Sequence, residues 1–166
     1  PAPRAVRGGS VGLGSGGYVP FGGRGYYLGR GAQATAGLER VAVVDPSYER
    51  RKAAEADFAG VTAYRSIDEL ASCDDVDLAI VATPPSAHFE LTRALLRAGK
   101  HVACEKPLCL TRAQADELLA TARDHDRVLT VHQNRRWDAD FLAIRRALDA
   151  GPLGPMSNVE TFVGGF

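Results

Sequence analysis

The chain has 166 residues, zero formal net charge, and apolar and charged fractions of 45% and 24%, enough for one domain with its own core. Balanced charge argues against a nucleic-acid or anionic-membrane binder, and no apolar run approaches the ~20 residues of a membrane span, so neither partner is expected. Cys73, Cys104 and Cys109 are an odd number without metal-ligand spacing, so no metal is expected and a reducing cytoplasm is the default compartment.

The first residues are the least orderly. The chain begins at Pro1 and its only methionine is Met156; the true start is expected upstream, and no apolar signal-peptide core is visible. "AVRGGSV" reads as a thin first strand. "GLGSGG" follows: Gly12, Leu13, Gly14, Ser15, Gly16 and Gly17 fit G-x-G-x-x-G. That pattern is weak alone, and weaker where twelve of the eighteen glycines fall between residues 8 and 37. Its context asks for a strand before it, a helix after it, and an acidic residue ~20 positions on at the second strand end. Asp45 supplies the acid, about a dozen residues later than that spacing. Residues 18–36 are therefore read as an irregular insertion in the first crossover, or as a stretch that is not native.

From residue 40 the chain alternates apolar strands with helical segments. "RVAVVD" (40–45) is a strand and 47–57 a helix. "VTAY" (61–64) is a short strand. Ser66 with Glu69 forms a capping box for a short helix. "VDLAIVAT" (76–83) is a strand stopped by Pro84 and Pro85. Ser86 is expected to cap helix 87–99, with Leu91, Leu95 and Ala98 on one face and Gly99 as its stop. "HVACE" (101–105) is the next strand. Thr111 and Gln114 cap helix 112–124, whose buried face is expected to carry Leu118, Leu119 and Ala122. "RVLTVHQ" (127–133) is a strand, and helix 138–149 carries Phe141, Ile144 and Leu148 at helical spacing. After "GPLGP" a further strand, "SNVETFV", is expected.

Continuous apolar strands separated by helices imply a parallel sheet buried on both faces, a doubly wound α/β fold. Ligands of such sheets sit at the carboxyl ends of the strands. The residues to examine are then Asp45, Thr83, Glu105, Lys106, Gln133 and Asn134. Lys106 is one of three lysines.

"AIVATPPSAHFELTRALLRAGKHVACEKPLCLT" resembles the nicotinamide-binding domain of the glucose–fructose oxidoreductase / inositol dehydrogenase (Gfo/Idh/MocA) family. The A-T-P-P-x-x-H segment, the A-G-K-H-V strand entry and the E-K-P turn carry the likeness. "HQNRRWDADFLAIRRAL" before "GPLG" is similar to the scyllo-inositol-dehydrogenase-like branch. The resemblance runs from about Leu38 to the end; before it only "VGLGSGG" agrees. It implies a Rossmann-like NAD(P)-binding domain over 1–150, and over 151–166 the first strand of a second, substrate-binding α/β domain cut short here. It implies hydride transfer between NAD or NADP and a polyol or sugar hydroxyl, and a homo-oligomer in the longer protein.

On this reading Gly12, Leu13, Gly14, Ser15 and Gly17 cradle the pyrophosphate at a helix N-terminus. Asp45 accepts the adenosine ribose hydroxyls, which favours NAD, while Arg50 and Arg51 soften that preference; a helix-capping role for Asp45 is compatible with both. Ala82, Thr83 and Pro84 line the cofactor, and His88 faces it from the next helix. Lys106 hydrogen-bonds the substrate oxygen and stabilises developing charge. Pro107 aims it and Glu105 orients the site. Asn134 and Arg135 lie near the nicotinamide. His101, His125 and His132 are read as ordinary strand or helix-end residues. By resemblance the main acid/base histidine belongs to the further domain.

Two other readings stand beside this one. A Rossmann remnant that has lost cofactor binding would share the fold. "FGGRGYYLGRG" places arginine and tyrosine between glycines, as single-strand RNA-binding segments do, though it is short and the chain has no positive excess.

Overall fold

The computed structural model describes residues 6–11, 31, 34–151, 154, 157, 158 and 160, with 10, 11 and 40 described in backbone only. The chain divides into two compact units, Pro1–His132 and Gln133–Phe166. Gly12–Gly17 and most of the insertion 18–36 lie outside the described residues. Of the expected strand after "GPLGP", Ser157, Asn158 and Glu160 are described and carry no regular structure.

Among its described residues the first unit has six strands: β1 (Val6–Val11), β2 (Leu38–Val44), β3 (Thr62–Tyr64), β4 (Leu78–Val81), β5 (His101–Cys104) and β6 (Leu129–Val131). Among the described residues they form one sheet in the order β3-β2-β1-β4-β5-β6, and every pairing is parallel. This is the doubly wound order whose reversal point lies between β1 and β4. The helices with both ends among the described residues are α1 (Tyr48–Asp57), α2 (Ile67–Ala71), α3 (Pro85–Arg97) and α4 (Arg112–Asp124).

Alternation along β2 shows why both faces are covered. Val43 packs with Ala54 and Phe58 of α1. Ala42 and Val44 join the larger cluster with Leu70, Leu95, Leu96 and Leu118 from α2, α3 and α4. The thin first strand has its own cause. A Cβ on Gly9 would come within 2.8 Å of Leu70 Cδ1 and 3.3 Å of Val76 Cγ1, so only glycine lets the central strand lie this close to its cover. The β1–β2 register also shifts between Gly8 and Gly9.

The expected caps are present at two helices. Ser66 Oγ accepts from the Glu69 amide at 3.3 Å, while the Glu69 carboxylate accepts from the amide of Arg65. Thr111 Oγ1 accepts from Gln114 N at 3.3 Å, and Gln114 Oε1 accepts from Leu110 N at 3.0 Å. At α3 the expectation fails. Pro85 occupies the first turn and Pro84 the N-cap, so Ser86 lies inside the helix. Proline suits that place because its missing N–H would have no partner there. The buried face of α3 is His88, Thr92, Leu95 and Leu96, while Ala98 is exposed. Gly99 stops the helix with φ of +76°. In α4, Leu118 and Ala122 are buried but Leu119 is 45% exposed; Thr121 is buried instead, its hydroxyl satisfied by Glu117 O at 2.9 Å.

In the second unit a 3-10 turn, Asn134–Trp137, leads into α5, Ala139–Asp149. Phe141 and Ile144 share the expected spacing, yet both are exposed.

Candidate functional site

Strand register aligns the ends of five strands. Val11 pairs with Val44 and with Val81, Val81 with Cys104, and Cys104 with Val131. The residues that follow, Asp45, Ala82, Glu105 and His132, therefore form the next row on the carboxyl-terminal edge, and Gly12 follows Val11 in sequence. The fold thus brings the chemistry-bearing residues to one edge.

At the β2 end Asp45 is 4% exposed. Its Oδ1 accepts from the amide of Ser47 at 2.8 Å, but Ser47 is itself the N-cap of α1 and no side chain caps that helix, so Asp45 braces the turn before α1 and does not cap it. Arg50 Nη1 lies 3.6 Å from Oδ2. Arg51 Nη1 donates to the carbonyls of Asp45 at 2.8 Å and Pro46 at 3.0 Å.

After β4, Thr83 is 8% exposed, and Ala82 and Pro84 are half-buried. His88 departs from its expected place. It is 1% exposed, and both ring nitrogens meet backbone carbonyls, Nε2 to Thr83 O at 2.8 Å and Nδ1 to Pro107 O at 2.6 Å. A ring so enclosed does not face a cofactor directly. It ties the loop after β4 to the loop after β5.

Glu105 at the end of β5 is buried, 6% exposed. Its Oε1 meets His132 Nδ1 at 2.7 Å, and its Oε2 accepts from the Lys106 amide at 3.3 Å. Lys106 itself is exposed, and the Lys106–Pro107 peptide is cis. His132 is the residue that reading by sequence missed. The signal available was its place immediately after the last strand. Cys104, one residue before Glu105, has its thiol pushed up to about 11 by burial, so it stays protonated and chemically quiet.

Asn134 and Arg135 belong to the second unit. Arg135 Nη1 donates to Asp138 Oδ2 at 2.7 Å, and that hydrogen bond raises the guanidinium's already high pKa. Among the described residues no group of three His, Cys, Asp or Glu is placed to hold a metal ion, and no helix is long and apolar enough to cross a membrane.

Residues 11–133 match a family model described as an oxidoreductase family with an NAD-binding Rossmann fold. The oxidoreductase YdgJ of Escherichia coli (strain K12) is 40% identical over 123 residues, 74% of this chain and 35% of that protein. The scyllo-inositol 2-dehydrogenase (NADP(+)) IolW of Bacillus subtilis (strain 168) is 36% identical over 111 residues, 67% of this chain and 31% of that one. A solved NAD-binding protein from Listeria innocua superposes with a TM-score of 0.76 at 36% identity, covering 88% of this chain and 41% of its own. The chain spans about a third of the length of the curated relatives it matches, 28% to 37% across them.

Proposed function

Because the chain belongs to the Gfo/Idh/MocA oxidoreductase family, whose NAD-binding Rossmann fold its residues 11–133 match, we propose that it is the cofactor-binding domain of an enzyme moving hydride between NAD or NADP and a hydroxyl of a polyol or sugar. The observation that carries this reading is the aligned row of strand ends that puts Asp45, Ala82 and Glu105 on one edge. Relatives bear the names inositol 2-dehydrogenase and 1,5-anhydro-D-fructose reductase, which supports the polyol or sugar class.

The residues on this edge fit the cofactor. A dinucleotide straddles the reversal point with its adenosine half toward the β2 acid. Its nicotinamide half then lies over β4, β5 and β6. When bound, the nicotinamide supplies the hydride acceptor or donor. Gly12, Leu13, Gly14, Ser15 and Gly17 would hold the pyrophosphate, Asp45 the adenosine ribose, and Ala82, Thr83 and Pro84 the middle of the cofactor. Asn134 and Arg135 would attend the nicotinamide. Lys106 would donate a hydrogen bond to the substrate oxygen, favouring the charge that develops as the carbon–hydrogen bond breaks. Glu105, fixed by His132, would hold the Lys106 backbone in place. The hydroxyl proton would pass to an acid/base group outside these residues.

In this proposal residues 1–150 are the cofactor domain and 151–166 begin a substrate domain, through which copies of the longer protein would associate. The three free cysteines suit a reducing cytoplasm. The test is a calorimetric titration of the folded chain with NAD and NADP. Saturable binding of either is expected. Folded protein that binds neither overturns the proposal and leaves the non-catalytic remnant in its place.

A further inference from the structure

We infer that His132 makes this edge distinguish the oxidised from the reduced dinucleotide, admitting the oxidised form less readily when its ring carries a second proton. The inference rests on the dinucleotide-binding reading above and adds to it the residue that senses the charge of the nicotinamide.

His132 follows β6 and stands on the edge row beside Glu105, its amide donating to Cys104 O at 2.8 Å. A carboxylate only accepts, so the Nδ1 that meets Glu105 Oε1 at 2.7 Å carries the proton. The neutral ring then holds its lone pair on Nε2, which has no partner among the described residues. The side chain is 42% exposed although the carboxylate it binds is buried. Its open part is therefore the far side of the ring, where solvent can deliver a proton to Nε2. Histidine is the side chain that changes charge between about pH 5 and 8. Glu105 is already in place to partner the charged ring, so protonation needs no rearrangement.

The charged groups around β6 leave this role to few residues. β5 is the strand packed against it. On β5, His101 lies at the opposite end with Nδ1 taken by the Val128 amide, and the buried Cys104 thiol, pushed up to about 11, stays protonated. Beyond β5, Glu105 is the partner just described and Lys106 is exposed, the other titratable cation of this edge. β6 itself, Leu129–Val131, has no charged residue, and Arg127 before it donates to Gly99 O at 2.6 Å.

The nicotinamide ring is positively charged when oxidised and neutral when reduced. The rest of the dinucleotide is the same in both forms, so its contacts cancel when the two are compared. A proton gained by His132 beside the ring weakens the oxidised form by charge repulsion and leaves the reduced form little changed. By reciprocity, bound oxidised cofactor keeps the His132 ring neutral. In a longer enzyme, acid would favour the form loaded for carbonyl reduction and alkali the form loaded for hydroxyl oxidation.

The test titrates the folded chain with NADH by nicotinamide fluorescence and with oxidised NAD by displacement of NADH, at one ionic strength and from about pH 6 to about pH 8.5. The NADP pair takes their place if the NAD pair does not bind. The ratio of the oxidised to the reduced dissociation constant should rise at least about threefold from the highest pH to the lowest. In H132N an amide nitrogen stands where Nδ1 stood, so Glu105 keeps a donor while the titrating ring is gone, and the ratio should be flat with pH. In Lys106→Met the rise should persist. Circular dichroism confirms that each variant is folded at each pH. A smaller rise in the unaltered chain, a rise that H132N leaves unmoved, or one that Lys106→Met abolishes overturns the inference. Binding of neither pair overturns the dinucleotide reading itself, and this inference with it.

Discussion

Replacing His88 tests whether one buried ring holds the ligand edge together. The ring makes two short contacts, to Thr83 O at 2.8 Å and Pro107 O at 2.6 Å, and is 1% exposed. His88→Leu keeps nearly the same volume and removes both. A neutral ring has one N–H and donates to one of the two carbonyls; with that N–H on Nε2, the carbonyl of buried Thr83 loses its donor, at a cost of about 1–3 kcal/mol. Pro107 is exposed, so its carbonyl can turn to water at little cost. His88→Ala removes the ring's packing as well, and the cavity raises the total to about 3–5 kcal/mol. Either loss is a large share of the ~5–15 kcal/mol that holds a domain together. Urea unfolding followed by far-UV circular dichroism gives both numbers. Hydrogen exchange then localises the effect: amides 105 and 106 should exchange faster in His88→Leu while those in the middle of α4 do not. If His88→Leu matches the unaltered protein within about 0.5 kcal/mol and amides 105 and 106 are unmoved, the ring does not tie the two loops.

Two further outcomes are expected. In a longer protein that contains this chain and turns over substrate, Lys106→Ala should lower kcat by about 10²–10³-fold, in the range of a lost electrostatic donor, with cofactor affinity largely kept; steady-state kinetics with unchanged kcat would remove Lys106 from the chemistry. For Cys104, burial raises the folded thiol from 9.0 to about 11. A raised folded value means that its stabilising contribution is complete below pH ~9 and is lost as pH rises through about 11. Denaturant midpoints between pH 8 and 11 should therefore fall less steeply for Cys104→Ala than for the unaltered chain, and equal slopes would contradict the assignment.

Much of the fold was legible because its signals are local. Thr111 and Gln114 are three residues apart and bracket a helix start, and α4 spans Arg112–Asp124 as expected. Where two local signals compete, the sequence alone does not rank them. Ser86 is a good cap, but Pro85 beside it is better suited to the first helical position. Hydrophobicity alone favours Leu119 inside, yet it is exposed. The helix instead turns Thr121 inward, and a carbonyl of the preceding turn satisfies its hydroxyl. At the candidate site the strand ends were readable, because a parallel sheet fixes which residues reach its edge. The links among them were not. Glu105 and His132 are 27 residues apart, and His88 binds backbone atoms, which leave no trace in a pattern of side chains.

The central position of β1 has a consequence for the order in which the domain can assemble. Strand β1 has β2 on one side and β4 on the other, and its Gly8 lies opposite Leu78. A growing chain that has not yet produced Val81 can pair β1 on one side only. Its other edge stays open, an invitation to pair with a foreign strand. Closing that gap joins segments about seventy residues apart, an entropic demand that slows the step. Once β4 docks, β5 and β6 can add outward one after another, each beside a neighbour already in place. Strand β6 delivers His132 to Glu105, so their contact forms only after β6 has joined β5.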